Sequence, residues 1–248
     1  MKKILLVGES WETISIHIKG FDTFYTSKYE EGADWLMKAL EKGGYEIDYI
    51  PNHRASSKFP TELEELEKYD TIILSDIGAN TLLLNPDTFE KSIPTPNRLN
   101  LIRDYVENGG GFLMIGGYLS FQGIEAKANY KDSPIEEILP VILKRYDDRV
   151  EVPEGMYPEN VKEHEILAGV SKKWPMLLGY NKFEAKKDSE ILVEGRDDPM
   201  LVIGNYSKGR TAAFASDCAP HWGSPEFVEW NDYEKLWINL VKWLNNEK

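Results

Sequence analysis

Four short, nearly continuous apolar runs punctuate the first 120 residues: Ile4 to Val7, Tyr45 to Ile50, Thr71 to Leu74 and Phe112 to Ile115. Runs of this length bounded by Gly or Asp read as strands buried on both faces, as in a parallel sheet. Between the first two, YEEGADWLMKALEKGG repeats Ala33, Leu36, Met37 and Leu40 at helical spacing, and Gly43-Gly44 supplies a stop. A second amphipathic stretch, NRLNLIRDYVENGGG, sets Leu99, Ile102, Tyr105 and Val106 on one face. The order strand, helix, strand, connection, strand, helix, strand generates a parallel sheet wrapped by helices through right-handed crossovers. The expected class is therefore α/β, doubly wound.

From about residue 124 to 190 the rhythm breaks, because Pro134, Pro140, Pro153, Pro158 and Pro175 interrupt short apolar runs. This stretch reads as an insertion or an elaborated edge within one domain spanning 1–248. Order then returns in SEILVEG and DPMLVIGNYSKGRTAAFASD, with a hairpin turn at Lys208-Gly209. The last segment is a helix whose Leu236, Trp237, Leu240, Val241 and Leu244 form a stripe that docks on the sheet.

Charge narrows the partners. With 29 Lys and Arg against 42 Asp and Glu, the chain carries −13, which opposes nucleic acid and anionic membrane alike. A small molecule is the expected ligand, and association into a homo-oligomer stays open. One cysteine cannot form an internal disulfide, so the expected compartment is reducing, the cytoplasm. The opening MKKILLVGES has only four apolar residues in a row before Gly8 and Glu9, which suits a first strand better than a signal segment. No cofactor motif is evident, since the full G-x-G-x-x-G fingerprint is missing.

In an open parallel sheet the ligand crevice lies beyond the carboxyl ends of the strands. The first strand exits into Gly8, Glu9, Ser10 and Trp11 and runs on to His17, Lys19 and Asp22. The third exits at Asp76, the fourth at Gly116, Gly117 and Tyr118, and the last at Asp217, Cys218, His221 and Trp222. The segment SDCAPHWGSPEF is the densest, holding the sole Cys, one of four His, and the carboxylates Asp217 and Glu226. Cys218, His221 and Glu226 could form a nucleophilic set, although a lone Cys at a strand end is commonly just a small buried apolar group. Zinc bound by His17, Cys218, His221 and Asp76 is an alternative, but no close-spaced ligand pair supports it and no metal is expected.

The phrase ENGGGFLMIGGYLSFQG, the closing SDCAPHWGSPEF and the early HIKGFDTFYTSKYEEG resemble the class I glutamine amidotransferase-like superfamily. The likeness covers nearly the whole chain and falls in its cytoplasmic amidotransferase-like branch, near the trehalose-utilisation group. It implies a flavodoxin-like three-layer α/β/α sandwich. Competent members carry a Cys in a G-x-C-x-G elbow and a later H-x-E, whereas this chain has Tyr118 at the thiol position and five residues from His221 to Glu226. A phenol with a reference pKa of about 10 is a poor acyl acceptor beside a thiol at about 8.5. The expectation is thus a cleft of Glu9, His17, Lys19, Asp22, Asp76, Tyr118, Asp217 and His221 for a small metabolite such as a sugar derivative. In it, His221 is the base, Glu226 or Asp217 its orienting carboxylate, the Gly117 and Tyr118 amides an oxyanion site and Lys19 a charge stabiliser. A catalytically silent binding or assembly module and a metal-dependent hydrolase are the competing expectations.

Overall fold

The computed structural model describes residues 2–247. The first apolar run becomes β1 (Lys3–Gly8). It is followed by an antiparallel hairpin of β2 (Ser10–Lys19) and β3 (Asp22–Glu31) that stands outside the main sheet. Then come α1 (Asp34–Lys42), β4 (Glu46–Ile50), α2 (Asn52–Lys58), α3 (Leu63–Leu66) and β5 (Thr71–Ser75). Two short helices, α4 (Ala79–Leu83) and α5 (Pro86–Lys91), precede α6 (Arg98–Glu107) and β6 (Gly111–Ile115). Asn97 caps α6 by accepting from the Leu99 and Asn100 amides, so the start of that helix is set by its own sequence.

The proline-rich middle forms α7 (Pro134–Ile138), β7 (Val141–Ile142), β8 (Arg149–Met156), β9 (Glu159–Asn160), β10 (Leu177–Asn181) and β11 (Glu184–Ala185). The chain closes with β12 (Glu190–Gly195), β13 (Asp198–Tyr206), β14 (Gly209–Phe214), α8 (Pro225–Val228) and α9 (Tyr233–Leu244). Tyr206 pairs with Gly209 across the anticipated turn at Lys208.

The main sheet has eight strands in the order β4-β1-β5-β6-β14-β13-β12-β9. Neighbours from β4 to β14 pair in parallel, and the last three strands add an antiparallel edge. The architecture is the flavodoxin-like α/β sandwich. Its first crossover runs from β1 outward to β4, while the next two run the other way, through β5 to β6. Right-handed connections then place the intervening helices on opposite faces. Accordingly α1 packs against α9 on one side, and α6 packs against α3, α4 and α7 on the other.

The terminal helix docks as its stripe predicts. Leu236, Trp237, Leu240, Val241 and Leu244 are all buried, and the Trp237 ring meets Phe214 of β14 edge-on at 5.3 Å. Tyr233, Phe227, Trp230 and Trp174 extend this aromatic block, so the seam between α8, α9 and β14 is nearly all ring surface. Replacing Trp237 by Ala empties the centre of that seam. The expected loss is about 3–5 kcal/mol of unfolding free energy, as for large-to-small core changes in general, measurable by urea denaturation. A loss below about 1 kcal/mol would contradict this account of the seam.

Candidate functional site

The two crossovers diverge between β1 and β5, and a crevice opens beyond the carboxyl ends of those strands. Gly8 ends β1 at φ +105°, and a Cβ there would sit 1.9 Å from the Ser75 carbonyl oxygen, so only glycine lets β1 and β5 approach this closely. The next residue on each strand is acidic. Glu9 and Asp76 both have left-handed backbones, with φ of 49° and 46°, a conformation that costs about 1–3 kcal/mol for such residues and concentrates at functional sites.

Beneath the mouth lies a buried layer of carboxyls. Glu9 accepts from the Ser75 hydroxyl, and Ser75 Oγ lies 3.8 Å from the Cys218 sulfur. Glu9, Asp217 and Cys218 each bring one ligand-capable atom within 4.8 Å of the others. Asp76 accepts from the Leu119 amide at 2.6 Å, and Asp217 from the Ala219 amide at 3.0 Å. Burial first, then the charges of Asp217 and Asp76, push Glu9 well above the usual carboxylate range. Asp217 is raised well above it by burial and then Asp76, and burial raises Asp76. Burial thus favours the protonated form of all three carboxyls. Burial and the same carboxyls push the Cys218 thiol well up, which keeps it neutral and inert.

Above this layer sits an aromatic one. The Tyr118 and His221 rings meet edge-on at 4.5 Å, and His221 stacks on Trp222 at 5.3 Å. His221 Nδ1 faces Asp217 Oδ2 at 3.6 Å, an ion-pair contact too long for a hydrogen bond. The His221 side chain is 42% exposed and that of Asp217 only 6%, so the imidazole is the water-facing end of a buried acid. Strand β8 reaches over from the proline-rich middle and locks the layer. Glu151 accepts from the Tyr118 hydroxyl at 2.9 Å and from the Trp222 indole at 3.0 Å, while the Arg149 guanidinium lies 4.6 Å over the Tyr118 ring. Arg149 is in turn held by a two-nitrogen contact to Asp147. Burial, then Glu151, raises the Tyr118 phenol.

Several sequence expectations need correction. His17, Lys19 and Asp22 do not join the cluster: they sit near the tip of the β2–β3 hairpin, where His17 stacks on Phe24 at 4.5 Å and Lys19 pairs with Asp22 across the ladder. The zinc set built on His17 falls with them. Glu226 is exposed on α8 and makes no hydrogen bond or ion pair among the described residues, so the carboxylate facing His221 is Asp217. The amides of the glycine pair are spoken for, Gly116 donating to the Phe214 carbonyl at 2.8 Å and Gly117 to Asn181 Oδ1 at 3.0 Å, and Gly117 supplies no oxyanion donor. Tyr118 has a negative φ, whereas a nucleophile elbow holds its residue on a sharply strained turn.

Glu9, Asp76, Tyr118, Asp217, Cys218, His221 and Trp222 do come together. Arg149, Glu151 and Asn181 were missed, because the strands that carry them are interrupted by prolines and flanked by no motif. The hairpin was missed although ISIHIK alternates strictly, the period of a strand. A groove of about 580 Å³ lies elsewhere, lined by Asn160, His164, Leu167 and Lys172.

Among known proteins, two described as cytoplasmic proteins of Salmonella typhimurium share this fold over nearly their whole length. One is 51% identical, with 97% of this chain and 98% of that chain covered at a TM-score of 0.94. The other, from strain LT2, is 52% identical over 98% and 99% at a TM-score of 0.94. A ThuA-like protein of Bacteroides uniformis, 16% identical over 98% and 91% at a TM-score of 0.54, shares the fold. No curated protein matches the chain. No helix among the described residues is long and apolar enough to cross a membrane. Residues 3–246 match a single family model, and the chain belongs to that family, GATase1-like, described as "Putative glutamine amidotransferase".

Proposed function

We propose that the chain binds a small polyhydroxylated metabolite at this site and acts on it by acid–base chemistry rather than by thiol acyl transfer. The observation that carries the reading is the His221–Asp217 pair, in which an exposed imidazole backs onto a buried carboxyl. With Nδ1 turned toward Asp217, Nε2 is the nitrogen left to take a proton from a ligand hydroxyl. The buried carboxyls of Glu9 and Asp76, both raised above the usual range by burial, lie behind that pair, and titratable groups with environments this different are suited to acid and base roles. The half-buried Tyr118 adds ring surface for the apolar face of a sugar, and Glu151, Arg149 and the buried Trp222 fix its orientation. The sugar class also follows from the likeness to the trehalose-utilisation group.

A second reading, a silent binding module that kept the fold, is favoured by one observation. The Gly117 amide is already bonded to Asn181, which removes a donor that acyl transfer would use.

Incubation with glutamine is expected to release no ammonia, from the wild-type chain and Cys218→Ala alike. With glucose and trehalose as probes, the wild-type melting midpoint is expected to rise and His221→Ala to abolish the rise. Ammonia release that Cys218→Ala abolishes would overturn the thiol-free reading. The absence of any shift with either sugar would overturn the ligand class. Turnover of either sugar, with a base limb lost in His221→Ala, would separate the enzyme from the silent module.

The carboxyl layer also sets a pH dependence. Glu9 and Asp217 hold protons in the folded chain at pH values where the unfolded chain, with carboxyls titrating near about 4, has released them. The folded state binds more protons there, so stability is highest at low pH within this window and falls as pH rises through the raised values. Glu9→Gln removes one such group, and the decline in urea midpoint between about pH 5 and pH 8 is expected to shrink. An unchanged slope would contradict the proton assignment.

A further inference from the structure

The β2–β3 hairpin is a free-standing arm. Its strands are ten residues each, joined by a two-residue turn at Gly20 and Phe21, and no third strand pairs with them among the described residues. A lone two-stranded ribbon is marginal in water and needs a hydrophobic face covered. Side chains alternate between the faces, and residues paired across the ladder share one. One face therefore carries Ile14, Ile16, Ile18 and Tyr25, each between 61% and 72% exposed, with Phe21 at the tip. The other face is satisfied within the arm: Lys28 bridges to Glu30, Trp11 donates to Glu30, and His17 stacks on Phe24. The isoleucine face has partners at its root, where Tyr29 donates to Glu31 and meets the His53 ring edge-on, and its isoleucines and Tyr25 stand exposed beyond it.

The root is rigid. Glu9 and Gly32 flank the arm, and a Cβ on Gly32 would lie 2.5 Å from Glu9 Oε1, while Asn52 ties Ser10 to the Asp76 carbonyl. The arm is thus fastened at its root beside the carboxyl layer. From Thr13 to Ile18 its first strand carries no carboxylate or lysine, in a chain of net charge −13. Uncharged apolar centres are the mark of an interface core.

We propose that this isoleucine face packs on the body of a second copy of this chain, by reciprocal exchange of arms about a two-fold axis. Area decides the mode. Ten residues at about 3.3 Å each, across two strands, give one face of roughly 330 Å². Two arms packed on each other would hide only about 700 Å², below the roughly 1,000 Å² that a specific interface needs. Two arms each laid on the partner's body would hide about 1,300 Å², within the usual range. The same chain offers a seat, since Leu84, Phe89 and Ile93 form a second exposed apolar stretch on and beside α5. One partner, a copy of itself, covers both surfaces, and a closed two-fold pairing is the common solution. This inference stands apart from the chemistry assigned to His221.

Sedimentation equilibrium of the wild-type chain is expected to give a dimer mass. Ile16→Lys combined with Tyr25→Lys, both side chains exposed and far from the core, is expected to give a monomer with unchanged circular dichroism. Phe89→Glu, on the proposed seat, is expected to give the same result. Hydrogen exchange across residues 12–29 is expected to be slow in the wild type and fast in the arm variant, which reads the docked ribbon directly. A monomeric wild-type chain, or a dimer that survives the arm substitutions, would overturn the proposal and leave the face to a different protein. A dimer lost in the arm variant but kept in Phe89→Glu would overturn the seat.

Discussion

Burying several carboxyl groups beside one another where two crossovers part is the constraint on which the site depends. Charge in such a place is expensive unless it is neutralised or hydrogen-bonded. The fold answers with the Ser75 hydroxyl on Glu9, the Leu119 amide on Asp76 and the Ala219 amide on Asp217, and burial raises all three carboxyls above their usual range. Close approach of β1 and β5 at Gly8 and left-handed backbones at Glu9 and Asp76 turn these side chains inward together. From that cluster follow the inertness of Cys218, the facing of His221 toward Asp217 and the stiffness of the arm root.

The same arrangement explains why the family fold persists here with a different surface chemistry. A thiol after β6 would need a strained turn and free amides around it. Instead Tyr118 lies on a relaxed backbone, its hydroxyl bound to Glu151, with Asn181 occupying the neighbouring amide. Asn181 in turn bonds Asp148, whose carboxylate also accepts from the Gln122 and Gly123 amides. The loop after β6 is thereby fastened to the proline-rich middle at several points.

Much of this was readable in the residues, and what was not has a physical reason. Runs such as Ile72 to Leu74 and Phe112 to Ile115 announce buried strands because both of their faces must be apolar, and crossover handedness then brings their ends to one place. Asp76, Tyr118, Asp217 and His221 followed from that geometry alone. Arg149, Glu151 and Asn181 did not, because β8 and β10 pair with each other outside the main sheet and meet the site only through tertiary packing. His17, Lys19 and Asp22 were misplaced because proximity along the chain to Glu9 was taken for proximity in space. The alternation Ile14, Ile16, Ile18 carried the correcting signal, since a strand of that length carries its far end about 30 Å away.

The two margins of the main sheet are guarded in different ways. At one, β9 is only two residues long; at the other, β4 sets Glu46 and Asp48 against Lys3. Brief or charged borders of this kind deter sheet-to-sheet polymerisation. The ribbon keeps its charges toward its two ends, Glu12, Lys28 and Glu30 near the root and Lys19 and Asp22 near the tip, and carries none from Thr13 to Ile18. Its middle is therefore the stretch of exposed strand border least guarded against adding another strand.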